Sequence, residues 1–283
     1  MKKFFTILSA GTLALMLAAC NDTATPKKET TDESKLTLEQ VYEKAIDRQS
    51  EIKSLSSDMK QNMVIDMAGE SSKVEINADL KMDIVTEPLT MYLKSSTDIS
   101  NLATNEKTSM PLEMYMIQEQ GFYVKDFNSA GWMKLPNDNF DEIANQATGS
   151  ADSKEQLKQL QQFVKDFKFE QTDDAYILTL NAEGEKFKKF MESQIAATLP
   201  DTLAPATLPL DAMTIEKANY VLTIDKKTFD TNKIDVDFDF NMTIEGEKAS
   251  IVSKSIITYT SINNISEIKI PQNIIDTAID ASF

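Results

Sequence analysis

The chain has 283 residues, 41% hydrophobic and 26% charged, with 7 Gly, 8 Pro, 1 Cys and no His. Lacking His, it has neither the commonest general base nor the commonest transition-metal ligand, and one Cys cannot build a disulfide framework, a zinc cluster or an iron–sulfur site. With 29 basic residues against 45 acidic ones, the formal net charge of −16 opposes a nucleic-acid partner.

Met1-Lys2-Lys3-Phe4-Phe5 leads into an uncharged run, Thr6 to Ala19, that ends Leu17-Ala18-Ala19-Cys20. A positive start, a short apolar stretch and small residues before a cut make up a secretory signal, and the run is short for a bilayer span. Leu-Ala-Ala-Cys resembles the bacterial lipobox. The resemblance implies a signal peptide at 1–19, a diacylglyceryl group on Cys20, and a protein held at the extracytoplasmic face of the cell membrane. The alternative is an ordinary signal in which Cys20 falls by chance. Cleavage before Cys20 removes Lys2 and Lys3, which takes the formal charge from −16 to −18. So acidic a body is repelled by anionic lipid, which leaves the holding to the anchor. Arg48 is the only Arg, a usage that suits an AT-rich, Gram-positive host.

Residues 20–35 are polar and lack an apolar period, so a flexible tether is expected after the lipidated Cys. Thr37-Leu-Glu-Gln40 is a capping-box pattern, and Leu38, Val41, Tyr42, Ala45, Ile46 and Ile52 set an amphipathic helix over 38–53. The period then changes to two. Met59, Met63, Ile65 and Met67 alternate with polar residues, as do Val74, Ile76, Ala78, Leu80, Met82 and Ile84 after a turn at Gly69. This predicts a long, half-buried hairpin. Strands near 89–98 and 112–118 follow, then a hairpin turned at Asn128–Gly131.

Helical spacing returns at Phe140–Ala147 and again behind the Ser153-Lys-Glu-Gln156 cap, through Leu157, Leu160, Val164 and Phe167. A strand at 175–181 precedes a helix at 185–198, which the three prolines of 199–211 end. Strands are expected at 216–225, 233–245, 249–262 and 265–270. Pro271 opens a short terminal helix with Ile274, Ile275, Ala278 and Ile279. With no repeat and no internal low-complexity linker, 36–283 reads as one domain.

This order is similar to that of the LolA/LppX-like lipoprotein superfamily, and within it to Gram-positive cell-surface lipoproteins. The features that carry the likeness are the lipobox at 17–20, the helix before the first strand, the Phe122-Tyr-Val-Lys-Asp…Gly131-Trp-Met-Lys134 hairpin, and Ile268-Lys-Ile-Pro271 before a short helix. The resemblance implies an α+β fold: a strongly curved antiparallel sheet, an incomplete β-barrel, whose concave face is closed by helices around a space for acyl chains. Relatives that shuttle lipoproteins are soluble, whereas this chain carries an anchor.

A cavity of that kind needs adaptable apolar walls, and the chain holds 14 Met and 14 Phe. The candidate lining is Met63, Ile65, Met67, Ile76, Leu80, Met82, Met114, Met116, Phe238, Phe240 and Met242. The same residues are equally what a filled core uses, and periodicity does not separate the two. The 199–211 stretch is either a flap at a cavity mouth or a surface connection, and Trp132 either stacks on a ligand or covers an apolar edge.

No catalytic or metal site is expected. Asp235, Asp237 and Asp239 mimic an EF-hand start, but its Gly and Glu positions hold Phe240 and Gly246, so the acids read as a solvated strand face. Ser50-Glu-Ile-Lys53, Ser57-Asp-Met-Lys60 and Ser266-Glu-Ile-Lys269 match Ser-x-x-Lys without its companion Lys-Thr-Gly motif. The expectation is a non-enzymatic lipoprotein, without cofactor, that binds a lipid or other apolar ligand as carrier, sensor or reservoir. Two other readings stay open: an envelope-protein interaction module with a filled core, and a carboxylate-based hydrolase of wall polysaccharide.

Overall fold

Period-two alternation becomes one sheet. A computed structural model of the protein describes residues 23–67, 72–118, 120–128, 130–136, 153–182, 187–190, 213–244 and 247–281. The signal peptide, Cys20, the helix expected at 140–147 and the proline-rich 199–211 stretch lie outside the described residues. The first half of the chain supplies β1 (Thr25–Pro26), α1 (Leu38–Gln49), β2 (Ser54–Met67), β3 (Ser72–Thr86), β4 (Leu89–Asn101), β5 (Glu106–Ile117), β6 (Gly121–Asp126) and β7 (Met133–Leu135). The second half supplies α2 (Ser153–Leu160), running into a 3₁₀ helix (Gln161–Asp166), β8 (Lys168–Gln171), β9 (Ala175–Asn181), β10 (Thr214–Asp225), β11 (Thr231–Ile244), β12 (Glu247–Ile262), α3 (Gln272–Thr277) and β13 (Ile279–Asp280).

The strand order is β1-β8-β9-β10-β11-β12-β2-β3-β4-β5-β6-β7-β13. Two antiparallel meanders, β2–β7 and β8–β12, are thus joined side by side where β12 pairs β2, with Met63 opposite Ser253 and Ile65 opposite Ile251. Only the outermost pairs, β1 with β8 and β7 with β13, are parallel.

This corrects the α+β expectation. Among the described residues the protein is mostly β, a single open 13-stranded sheet with a few short helices, and those helices do not close its concave face. Where the residues are described, the helices expected at 38–53, behind Ser153 and after Pro271 are present but short: α1 stops at Gln49, with Ser50 as its C-cap. Residues 265–270, expected as a strand, make no ladder; Ile270 is instead buried against the sheet beside Ile117, Tyr123 and Ile274.

The largest core lies over the β8–β11 half. Leu38, Val41, Tyr42 and Ala45 of α1 pack with Leu157, Leu160 and Phe163 onto Phe169, Leu178, Leu180, Leu222 and Ile224. Thr37 caps α1 as its sequence predicts: its hydroxyl accepts from the Gln40 backbone N–H, and the Gln40 side chain accepts from the Thr37 N–H. The buried Tyr42 hydroxyl donates to the Leu157 carbonyl at 2.6 Å, tying α1 to α2. At its other end α1 is held by Arg48, whose Nε lies 2.7 Å from Oδ1 of the largely buried Asp230.

The segment expected to be a flexible tether is docked from Thr23 onward. Gln171, 1% exposed, is its clasp. Its side-chain amide donates to the Ala24 carbonyl at 2.8 Å and the Ser34 carbonyl at 3.3 Å, and its side-chain oxygen accepts from the Ser34 N–H at 2.8 Å. The Tyr176 hydroxyl adds a bond to the Ser34 hydroxyl at 2.6 Å. Asp173 accepts from the Thr31 and Asp32 N–H groups at 2.6 and 2.9 Å. The contacts of 23–35 are mainly hydrogen bonds to a sheet edge, which leave no apolar period to read in the sequence.

The bonds from the Asp32 and Thr31 backbone N–H groups hold the Asp173 carboxyl below the ordinary carboxylate range. A depressed value stabilises the folded form above the unfolded-state pKa and loses that contribution as pH falls through the folded one. The protection of the amides of residues 24–34, relative to their intrinsic exchange rates, is therefore expected to fall selectively as pH drops below 4, roughly the ordinary Asp value. Gln171→Ala should produce the same selective loosening at neutral pH, with a global cost of about 1–3 kcal/mol for the unpaired groups it leaves. Uniform exchange across the sheet in that variant would refute the clasp.

Candidate functional site

Strand register puts every residue of the candidate lining on one face of the sheet. The row Phe169, Leu178, Leu222, Ile234, Ile257, Met59, Leu80, Ser95 and Leu112 crosses nine adjacent strands. The next rows toward the β11–β12 turn run Leu180, Tyr220, Val236, Ser255, Gln61, Ala78, Thr97, and then Ala218, Phe238, Ser253, Met63, Ile76, Ile99. Directly opposed residues share a face, so this surface is largely apolar, with Ser95, Thr97, Gln61, Ser253 and Ser255 among its middle strands.

The candidates are shared among separate clusters. Met63, Ile65, Met67, Phe240 and Met242 pack with Ala249 and Ile251 toward the β11–β12 turn. Met82, Met114 and Met116 pack with Met91 and Phe122 at the far end of β3–β6. Phe238 and Phe240 lie against the large core over β8–β11. Ile76 and Leu80, half-buried, belong to none of these.

Between the clusters the side chains are small. Ser57, Ala78, Ser95, Thr97, Ser253 and Ser255 occupy the middle of the apolar face, with Ser57 and Ser253 buried. The Gln61 amide donates to the Ser253 hydroxyl at 3.3 Å, placing one polar pair on this floor. The result is a strip of short side chains, flanked by Met, Leu, Ile and Phe, that no described helix covers. Reading apolar residues alone missed it. The signal was present as Ser, Thr and Ala at the inward positions of otherwise apolar strands.

Near the β11–β12 turn a cavity of about 500 Å³ lies mainly on the polar side of the sheet, lined by Asp66, Thr214, Glu216, Asn241, Thr243, Lys248 and Ser250 with Met242 and Ala249. Tyr220 and Tyr259 lie on the apolar face. Burial holds the Tyr220 phenol far above its ordinary value and pushes Tyr259 up to about 12, so both stay neutral hydrogen-bonding groups at physiological pH.

The opposite face is mostly polar, apart from the corner cluster around Tyr115, Ile117 and Tyr123 and the exposed Val252 and Ile256. Asp235 lies 2.6 Å from Lys233, and Asp237 lies 3.2 Å from Lys217, so these acids are paired on a solvated strand face. Trp132 packs beside Tyr115, ring centroids 5.7 Å apart, in the corner cluster that Ile270, Ile274 and Ala278 cover.

What the geometry defines is an open, edge-capped β-sheet protein with one apolar face. A model of a family of unknown function, DUF6612, matches residues 37–279, and the chain belongs to that family. No curated protein matches it. Among solved structures it is similar to a DUF1329 family protein from Desulfovibrio piger, at 12% identity over 82% of this chain and 95% of that one, with a TM-score of 0.22. It is also similar to a beta-barrel-like protein of a domain of unknown function, DUF1849, from Brucella abortus, at 8% identity over 74% and 100%, with a TM-score of 0.19. At those scores neither likeness carries an argument about this chain.

Packed and open parts of the face should respond differently to truncation. Met116→Ala, at a fully buried site, is expected to cost about 2–5 kcal/mol in urea unfolding. Leu80→Ala should cost about 1 kcal/mol or less, because its neighbours leave it half exposed. Equal, large losses would mean that the strip is ordinary core.

Proposed function

We propose that this protein binds a lipid or similar amphiphile along the strip of small side chains, as a carrier, sensor or reservoir and without chemistry. The observation that carries the reading is the contrast in side-chain size on one face: short residues on the floor, large flexible ones at its sides. An acyl chain laid there would be flanked by Met59, Met63, Ile76, Leu80 and Leu93, each buried CH₂ contributing roughly 0.8 kcal/mol. Gln61, Ser253 and Ser255 would meet a polar group of the same molecule. Met thioethers suit a wall that must fit more than one chain length. The open sheet is compatible with the LolA/LppX-like arrangement that the sequence resembles. Within this reading the protein is a lipoprotein anchored through Cys20 on the extracytoplasmic face of the membrane.

The test is native mass spectrometry of residues 21–283, secreted without the lipid anchor, followed by solvent extraction. A stoichiometric adduct that extracts as a lipid is expected, and Ala78→Phe, which fills the floor, should lose it while keeping its β-sheet circular dichroism. A bare mass for the native sequence, with no uptake of added phosphatidylglycerol, would overturn the proposal.

A further inference from the structure

Thr23 forms a bridge with Thr37, so the chain is fixed to the body at that point. Three peptide units separate Thr23 from Cys20, which limits their Cα separation to about 11 Å. A lipid on Cys20 therefore cannot hold the body at a distance. Beside Thr23 is a hollow of about 480 Å³ whose lining includes Leu38, Lys165, Phe167, Lys168 and Phe169. Its apolar side chains are well covered, with Leu38 5%, Phe167 6% and Phe169 7% exposed. Two lysines share the lining with one acid, Glu39. The Lys168 side chain is 65% exposed and reaches Glu170 at 3.0 Å. On a body of formal charge −18 after cleavage, this is a locally favourable place for a phosphate.

We infer that the β1–β8 edge is the membrane-facing surface, seated on the phospholipid headgroup layer, with the hollow beside Thr23 over the lipid phosphates. The inference rests on the reading of Cys20 as the lipid-bearing residue. Chain length fixes which edge meets the bilayer, and the lysines supply the complementary charge. The clasp built by Gln171 and Asp173 thereby sets the orientation of the whole sheet, because it removes the slack that residues 23–34 would otherwise give.

The test uses the full lipidated chain, purified from a bacterial membrane and reconstituted into phosphatidylglycerol–phosphatidylethanolamine vesicles carrying a headgroup nitroxide. With Cys20 acylated, an introduced thiol is the only free one in the chain. Lys168→Cys and Lys53→Cys are labelled with a fluorophore. The register runs Lys168, Thr179, Val221, Asp235, Ile256, Lys60, so Lys53, next to β2, lies five strands in from β8, up to about 24 Å from that edge at the usual inter-strand spacing. Quenching at 168 is expected to exceed that at 53 several-fold, and a Gly-Ser insertion between Asp22 and Thr23 should abolish the difference. Equal quenching at both positions in a chain whose mass shows acylated Cys20 overturns the orientation alone. A chain with unmodified Cys20 that does not bind vesicles overturns the anchor reading and this inference together.

Discussion

The pairing of β12 with β2 is the contact on which the rest of the structure depends. It joins two meanders into one surface, and the residues it brings together are far apart: Gln61 and Ser253 are separated by 192 positions. Such a contact gains nothing until a very long loop has closed, and it then fixes the register of every strand on either side. A slip of one residue would turn the apolar face of one meander to the polar side of the other. Strict alternation at 74–84 and 234–244 fixes the faces of the neighbouring strands β3 and β11, and the ladders to β2 and β12 carry that choice to the junction.

An open sheet of this width has two edges to protect. Here the chain's two ends cover them, β1 on β8 and β13 on β7, each a strand of two residues. Short outer strands offer little backbone to a foreign strand, a usual defence against edge-to-edge aggregation. The N-terminal cover is the more elaborate, because Gln171, Asp173 and Tyr176 bond it through side chains. Edge protection and placement of the body relative to an anchor at Cys20 thus fall to the same twelve or so residues, those about 23–34. The C-terminal cover works through packing instead: Ile270 and Ile274 fill the corner beside Trp132, and the Ile279 N–H donates to the Trp132 carbonyl.

The site shows where sequence reading succeeds and where it stops. Period two assigned Met63, Ile76, Leu80, Phe238 and Met242 to inward positions, and register places them on one face. It could not divide them into packed and open. Met116 is sealed and Leu80 is not, although both sit inward on alternating strands, because Met116 has Met91 and Phe122 as neighbours while Leu80 faces Ser95. That difference belongs to cross-strand partners 6 to 25 residues away. The large core was misjudged for a related reason. Helix α1 covers β8–β11, strands made more than 100 residues later, and nothing in its own amphipathic stripe says which half of a sheet it will choose.

The sequence by itself determined the local elements: the α1 cap at Thr37, the alternating strands, the chemistry of each strand face, and the absence of histidine and of a second cysteine. These follow from short-range rules of capping, periodicity and composition. The tertiary structure alone decided that the meanders join through β12 and β2, that among the described residues helices cover the β8–β11 half of the sheet and not the other, and that the polar N-terminal segment is docked. Each of those outcomes is a competition among distant surfaces for burial and hydrogen-bond partners. A buried Gln171 can hold Ala24 and Ser34 only after β8 has taken its place at the edge.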